Sequence, residues 1–354
     1  MNVKSVEGIL VIISVAVSII ASGCSNGDNP VNKDNSNPVV ISSDIKDNAD
    51  ITTGEEKQPD SNQSDNNNSN NNTDNVTVPD DTIYDEIIDN GEPKMDYIAI
   101  LEYDKTRQLE KKDYYETLDN SCPQTWCFQR KKDHSQSGTY ENFHINDYFG
   151  EYVDQTVTDD DKVMYLTFDC GYPSDLTVKI LDTLQKHNAK GNFFVTKMYL
   201  EECADYAKRM KEEGHLVCNH TVTHSDLVTK SVSGVLDEIY GCSEYFYEVT
   251  GYEMDPFLRT PTGSYSKRLM TIIEDAGYMT VFWSIAYGDY DPNNQPAPGY
   301  VTDHFQTYHH NGAIALMHND SPSNANELDA VLTYLEGQGY RFALLSELKL
   351  PENQ

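Results

Sequence analysis

The alternation of short apolar segments with longer amphipathic segments after residue 160 constrains the fold more than any other feature of the sequence. Seven strands are predicted, at residues 163–168, 191–195, 215–219, 256–258, 279–285, 313–317 and 341–345. Between them, apolar residues recur at helical spacing, and several segments end on a glycine that suits a helix C-terminus. This repeating pattern indicates an α/β fold, either a parallel barrel or a doubly wound sheet.

Ionisable residues stand after five of the predicted strands. They are Asp169, the pair His220 and His224, Arg259, Asp289 and His318. In a (β/α) barrel the functional residues come from the C-terminal ends of several strands, whereas an open sheet forms its site at one switch point. The pattern therefore favours an irregular barrel of seven or eight strands, with its active site at the carboxyl ends of the strands.

The segment HTVTH places His220 and His224 four residues apart, a spacing typical of two ligands to one metal ion. Surface histidine pairs also arise at this spacing by chance, but this pair follows a strand of the same predicted sheet as Asp169. We therefore expect a divalent metal site, with Zn²⁺ as the expected ion. Asp169 is the candidate general base for the attacking water, the alternatives being a helix N-cap or a buried ion pair.

His318 is the candidate general acid, which would protonate a leaving group on the other side of the site. The alternative is a hydrogen-bonded histidine at a strand edge. Asp289 could hold the His318 ring charged and oriented, or it could pair with Arg259. A base and an acid at one metal site suit the hydrolysis of an amide or an ester.

Five short motifs occur in order over residues 163–318: TFDCGY, HTVTH, RTPTG, GDY and LMH. Together they resemble the motifs of the polysaccharide deacetylase family, the NodB-homology carbohydrate esterases. The longer segments RMKEEGHLVCNHTVTH, FWSIAYGDY and GYRFALLSEL resemble the delta-lactam-biosynthetic branch of that family, the peptidoglycan N-acetylmuramic acid deacetylases of spore formers. The resemblance extends over roughly residues 120–350.

The resemblance implies an irregular TIM-like (β/α) barrel of the NodB type and a metal-dependent hydrolase that removes the N-acetyl group from N-acetylmuramic acid in peptidoglycan. It assigns Asp169 as the base, His220 and His224 as metal ligands, His318 as the acid and Asp289 as the partner of His318. The alternatives are a deacetylase of N-acetylglucosamine, an acetyl-xylan esterase, and a catalytically inactive lipoprotein that binds the cell wall.

Substrate contacts are also implied. In the muramic branch the arginine that matches Arg259 would meet the lactyl carboxylate of the sugar, and a guanidinium fork suits a carboxylate. A structural ion pair with Asp169 or Asp289 is the alternative. Tyr172 and Trp283 are expected at the wall that faces the sugar, with core packing as the alternative for Trp283.

Cys170 departs from the family pattern, because most of these deacetylases carry there an aspartate that is the third metal ligand. The thiolate could replace that aspartate as a ligand. Alternatively, Cys170 is a small apolar residue and two histidines with water hold the ion. GYPSD and GDY also differ from the branch, which leaves the substrate preference more open than the reaction.

The N-terminal part has a different organisation. Residues 1–24 read as a lipoprotein signal peptide, with ASGC as a lipobox and Cys24 as the lipidated residue, so an extracytoplasmic protein anchored to the membrane is expected. The Asn/Asp/Ser-rich segment 25–95 reads as a disordered linker. Residues 96–159 are predicted to wrap the barrel, and residues 160–350 form the catalytic domain.

Net charge and cysteines complete the expectations. The net charge of −32 argues against nucleic acid as a partner, so the expected partners are the peptidoglycan glycan strand and the membrane, with a monomeric chain. Cys122 and Cys127 are close enough in sequence to pair, and Cys203 could meet Cys218, although sequence alone does not determine connectivity.

Overall fold

The structure, a computed structural model, describes residues 97–121 and 123–348. The expected signal peptide, the lipidated Cys24, the linker and Cys122 lie outside the described residues. In the part of the chain that is described, no helix has the length and apolar character needed to cross a membrane.

The described residues form eight α-helices and twelve β-strands. The helices are α1 (Tyr97–Glu110), α2 (Lys112–Thr117), α3 (Leu176–Lys186), α4 (Lys197–Glu212), α5 (Val232–Thr250), α6 (Lys267–Asp275), α7 (Tyr300–Tyr308) and α8 (Pro322–Gly337). The strands are β1 (Gln124–Thr125), β2 (Phe128–Gln129), β3 (Gly138–Thr139), β4 (Gly150–Glu151), β5 (Val163–Cys170), β6 (Asn192–Val195), β7 (Leu216–Asn219), β8 (Asp255–Leu258), β9 (Ser264–Tyr265), β10 (Met279–Val281), β11 (Ala313–His318) and β12 (Arg341–Phe342).

Eight of these strands form one parallel sheet. Its order is β11, β5, β6, β7, β8, β10, β4, and β12 pairs with the first residues of β5. The sheet curls until the segment after β10 meets β11, where Ile285 bridges Ala315. The predicted parallel barrel is therefore confirmed, and it is irregular because isolated bridges, Ile285 to Ala315 and Val153 to Ala313, close it in place of a continuous strand pair. All seven predicted strands are present, and β4 adds one that was not predicted.

Alternation along β5 explains how the barrel and the helical layer share one strand. All eight residues of β5 are buried, as expected for a strand covered on both faces. Val163 and Tyr165 belong to a cluster with residues from several other strands inside the barrel. Phe168 and Cys170 belong to the cluster between the sheet and the helices. Asp169 lies on the same face as Val163, so its carboxylate points into the barrel mouth.

Helix ends are set by local signals. Ser231 caps α5 by accepting the Gly234 N–H, and Thr196 caps α4 by accepting the Tyr199 N–H. Gly251 ends α5 with a left-handed backbone, as its position in the sequence predicted. The N-terminal caps lie in the loops at the carboxyl end of the sheet, whereas Gly251 begins the loop that leads to the amino end of β8.

The segment before residue 160 is integrated into the barrel. Its strand β4 pairs with β10 in the main sheet, and its strand β1 pairs with β9. Helix α1 packs against α5. Residues on both sides of residue 160 therefore contribute strands to the same sheet.

The suggested Cys203–Cys218 pair is wrong, because both thiols are free. Cys218 lies inside the barrel, whereas Cys203 lies in the layer between the sheet and the helices. The wall of the barrel therefore separates the two sulfurs.

Candidate active site

A cleft opens at the carboxyl ends of the strands. Its lining combines the predicted ionisable residues with an aromatic and threonine-rich wall. The lining residues are Thr125, Trp126, Asp169, His220, His224, Thr260, Thr262, Gly263, Trp283, Tyr287, Tyr290, Leu316 and His318. A concave site with a few convergent polar groups is the usual form of a small-molecule or sugar-binding site.

Asp169 is held at the floor of the cleft by Arg259. The Arg259 Nη1 donates to Asp169 Oδ1 at 2.7 Å and to the Thr167 hydroxyl at 2.9 Å. Burial by itself would raise the pKa of Asp169, but the positive charges of Arg259 and His318 hold that pKa below its ordinary value. Asp169 is therefore ionised near neutral pH, with Oδ2 left to accept a proton.

His220 follows β7 and has one ring nitrogen engaged. Its Nδ1 lies 2.8 Å from the Arg259 carbonyl oxygen. Because a carbonyl only accepts, Nδ1 carries the proton and Nε2 presents a lone pair. Nε2 is buried and has no hydrogen-bond partner among the described residues, and Asp169 Oδ2 lies 3.5 Å from it. The lone pair of Nε2 is thus free to bind a cation, and the Asp169 carboxylate lies next to that position.

His224 completes the pair. Its ring centroid lies 4.8 Å from that of His220. Burial is the main reason that the pKa of His224 falls to about 3, and burial also lowers the pKa of His220. Both imidazoles are therefore neutral at physiological pH, which is the state that binds a metal ion. The donor set fits a divalent metal with imidazole ligands.

Cys170 does not join the histidines. Its side chain is fully buried behind β5, where it faces helical residues rather than the cleft. Burial raises the pKa of the Cys170 thiol well above its ordinary value, which opposes formation of a thiolate ligand. Within residues 97–121 and 123–348, no three His, Cys, Asp or Glu side chains converge into a complete metal site. The geometry supports the reading of Cys170 as a small apolar residue.

His318 ends β11, directly beside Asp169 in the parallel register. Asp289 Oδ1 lies 2.9 Å from His318 Nδ1, and Asp289 Oδ2 accepts the His318 backbone N–H at 2.9 Å. Asn324 donates to the same Oδ2 at 2.6 Å. Burial alone would lower the pKa of His318, but the Asp289 carboxylate outweighs it and raises the pKa to about 9. His318 is therefore protonated at neutral pH.

Arg259 is fully buried and is not among the residues that line the cleft. Besides Nη1, its Nε donates to the Val281 carbonyl at 3.0 Å and its Nη2 to the Phe282 carbonyl at 3.3 Å. Its guanidinium also lies over the Phe194 ring at 4.2 Å. Of the two expected roles, the structure therefore supports the ion pair with Asp169 and gives no access to a substrate carboxylate.

Aromatic residues form the rim and wall. Tyr172 is 56% exposed beside His224 at the edge of the site, outside the lining of the cleft itself. Trp283 is buried yet lines the cleft, so both expected roles of this residue are combined. Tyr290, which sequence reasoning did not single out, is exposed and lies near the His318 ring.

Thr125 and Trp126 also line the cleft, although they belong to the segment before residue 160. The Trp126 indole N–H donates to the Trp283 carbonyl at 2.8 Å, and its ring stacks on Phe282. From the sequence, this segment was expected only to wrap the barrel. The structure shows that contacts with β9 and Trp283 place Thr125 and Trp126 in the wall of the cleft.

A buried carboxylate, a neutral histidine pair and a charged histidine in one cleft of a parallel barrel are the arrangement of a hydrolase of amides or esters. The family model for polysaccharide deacetylase matches residues 156–281. The chain is 39% identical over 228 residues to the peptidoglycan-N-acetylmuramic acid deacetylase PdaA of Bacillus subtilis, covering 64% of this chain and 86% of that protein.

The solved structure of Bacillus subtilis PdaA, a family 4 carbohydrate esterase, matches with a TM-score of 0.61 at 38% identity, covering 65% of this chain and 98% of that one. The chain is also 35% identical over 187 residues to the peptidoglycan-N-acetylglucosamine deacetylase PgdA of Listeria monocytogenes, covering 53% of this chain and 39% of that protein. The chain therefore belongs to the polysaccharide deacetylase family and is a hydrolase of the family 4 carbohydrate esterase type. This confirms the resemblance carried by the five motifs.

Proposed function

We propose that this enzyme removes the N-acetyl group from N-acetylmuramic acid in peptidoglycan, with Asp169 as general base and His318 as general acid. The observation that carries the proposal is the pairing of Asp169 with His318 in register on neighbouring strands. At neutral pH Asp169 is a carboxylate that can accept a proton, and His318 is an imidazolium that can donate one. Similarity to the muramic acid deacetylase PdaA supports the choice of sugar.

A divalent metal fits the His220 and His224 pair, and deacetylases of this family are generally metal-dependent. When bound, such an ion would polarise the acetamide carbonyl and lower the pKa of the attacking water. Zn²⁺ is the ion we propose, because two neutral imidazoles and open positions suit catalytic zinc.

The protein's own groups then move the protons. Asp169 accepts a proton from the attacking water at Oδ2, because Arg259 engages Oδ1. His318 donates its proton from Nε2 to the departing nitrogen, because Nδ1 is bonded to Asp289. The carbon–nitrogen bond breaks, and the products are acetate and a free amine on the sugar. Proton exchange with solvent restores both residues for the next cycle.

A second candidate is N-acetylglucosamine as the substrate. The burial of Arg259 favours it, because the residue expected to bind the muramic carboxylate is engaged with Asp169. Similarity to the N-acetylglucosamine deacetylase PgdA is consistent with it. The reaction and the catalytic residues would be the same.

We also propose that the enzyme works outside the cytoplasm as a monomer tethered to the membrane through lipid on Cys24. The lipobox and the polar segment that follows it support this location. Incorporation of labelled fatty acid into the full chain, and its loss in Cys24→Ser, is the expected result. Equal labelling of both proteins would overturn the anchor.

The test of function is acetate release from purified peptidoglycan, with and without added Zn²⁺, followed by mass analysis of muropeptides. We expect the acetyl group to be missing from muramic acid. Loss from glucosamine would establish the second candidate. Absence of acetate release with every metal tested would refute the proposed deacetylase activity. Full activity of Asp169→Asn would refute the assignment of Asp169 as the base.

A further inference from the structure

The loop that carries both histidines has an unfavourable backbone conformation. Thr221 has φ 76° and His224 has φ 53°, which places two side-chain-bearing residues in the left-handed region. Such conformations are uncommon and persist only where surrounding contacts hold them. The contacts that hold this loop therefore decide where the two imidazoles stand.

One buried carboxylate supplies the central contacts. Glu238 projects from α5, and its Oε2 accepts the backbone N–H groups of Val222 at 2.9 Å and Thr223 at 2.8 Å. Its Oε1 accepts the Thr223 hydroxyl and lies 2.8 Å from the Lys230 Nζ. Four donors thus surround a side chain that is only 5% exposed. The two peptide groups it binds lie between the two histidines.

The start of the loop is fixed to the same helix. Asn219 donates through Nδ2 to the Ile239 carbonyl at 2.8 Å and to the Ser243 hydroxyl at 3.0 Å. Its Oδ1 accepts the Thr221 N–H at 2.9 Å. Helix α5 therefore holds the loop at its beginning through Asn219 and at its centre through Glu238.

We propose that Glu238 is a positioning residue for metal binding, which holds the 220–224 loop so that the His220 and His224 rings face one ion. The inference rests on the proposed metal site at these histidines. Glu238 acts through the loop, because its hydrogen bonds go to the backbone and hydroxyl of residues between the histidines. Outer groups that orient metal ligands commonly change metal affinity by about 10–100-fold when they are removed.

Glu238→Gln tests the proposal with almost no change in size. An amide offers one oxygen and an NH₂ group, so it cannot accept from all four donors, and at least one buried donor loses its partner. The measurement is Zn²⁺ affinity of the full chain by competition with a chromophoric chelator. We expect a roughly 10–100-fold weaker affinity and an altered Co²⁺ absorption spectrum.

Asp237→Asn is the matched control. Asp237 is the preceding residue of the same helix and pairs with Lys105, away from the loop. The Asp237→Asn variant should bind Zn²⁺ with the same affinity as the unmodified protein. His220→Ala tests the site itself: if it also retains full zinc affinity, the proposed metal site is wrong, independently of Glu238.

Unchanged zinc affinity in Glu238→Gln, beside a large loss in His220→Ala, would overturn the positioning role and leave the metal site intact. A lower unfolding temperature with unchanged affinity would equally overturn it, because that is a structural effect alone. If Glu238→Gln fails to fold, Thr223→Val removes one of the four contacts. It should weaken zinc binding by a smaller factor, and unchanged affinity would refute the proposal.

Discussion

Asp289 binds His318 through two hydrogen bonds: one carboxylate oxygen bonds to the ring Nδ1 and the other to the backbone N–H of the same residue. The ring therefore cannot rotate without losing a charged hydrogen bond. Asn324 fixes the carboxylate in turn, and the Tyr287 hydroxyl donates to Asn324 Oδ1 at 2.7 Å. The only imidazole N–H left for chemistry is at Nε2.

Asp289→Asn should move the alkaline limb of the activity profile. His318 must be protonated to act as an acid, so activity is present below its folded pKa of about 9 and is lost as pH rises through that value. Without the carboxylate charge, burial lowers the pKa and the loss begins at lower pH. At neutral pH we expect kcat to fall by about 10²–10⁴-fold.

The measurement is kcat/KM against pH for both proteins. Asp303→Asn, an exposed change on α7, is the control and should keep the original profile. An unchanged alkaline limb in Asp289→Asn would show that Asp289 does not set the charge of His318.

Arg259→Lys should reduce kcat and leave KM nearly unchanged. A lysine cannot reproduce the fork that binds Asp169, Thr167 and two carbonyls, so the base is misplaced. A misplacement of this kind costs about 10²-fold in rate. If Arg259 instead bound a substrate carboxylate, KM would rise. Arg341→Lys is the control, because Arg341 pairs with Asp161 and belongs to β12.

Acid should destabilise the folded chain through its buried neutral histidines. His215 accepts the Gly191 N–H at Nδ1, and burial is the main reason that its pKa falls to about 4. A folded pKa below the ordinary 6.5 means that the unfolded chain takes up protons first. The stabilisation is complete above pH 6.5 and is lost as pH falls from there to about 4.

Urea unfolding at about pH 7.5 and about pH 5 measures this effect. His215→Leu should reduce the difference between the two free energies of unfolding by about 2 kcal/mol. The exposed His144→Leu serves as the comparison and should leave the difference unchanged. Equal acid sensitivity of His215→Leu and the unmodified protein would contradict the prediction.

Gly263→Ala should damage both stability and the cleft wall. Gly263 has φ +68°, and an added Cβ would lie 2.7 Å from the Trp283 ring and 3.2 Å from the Trp126 Cβ. Gly251→Ala isolates the backbone cost, because Gly251 has φ +77° with nothing within 4 Å of the added Cβ. That cost is about 1–2 kcal/mol.

We expect Gly263→Ala to lose more stability than Gly251→Ala in urea unfolding, and only the former to lower kcat/KM. The extra loss reflects displacement of Trp283, which lines the cleft. Equal losses of unfolding free energy in the two variants would show that Trp283 and Trp126 accommodate the added methyl group without a cost in stability.

The barrel could be predicted because each of its main strands is a short apolar segment that is recognisable in the local sequence. The apolar run of β5 ends in Asp169, and the parallel fold brings such ends together. By contrast, β4 has two residues, one of them Gly150, and carries no periodic pattern. Helix α7 gives a weak signal in the sequence because its aromatic and β-branched residues are weak helix formers, so its packing against α8 must stabilise it.

The residues of the site likewise fall into those that local sequence indicates and those that only distant contacts reveal. Residue types and order indicated Asp169 and His318, because their chemistry is visible in the residues themselves. Asn324, Glu238 and Trp126 could not be found, because their importance lies in contacts with residues 35, 15 and 157 positions away. The orientation of Cys170 was within reach, since it alternates with Asp169 along β5.

The position of Thr125 and Trp126 has a consequence for how the cleft can vary. Both residues line the cleft from a stretch that precedes Asp169, the first of the ionisable residues in the site, by more than 40 positions in the chain. Substitutions in this upstream stretch can therefore change the shape of the cleft wall while Asp169, His220, His224 and His318 stay unchanged.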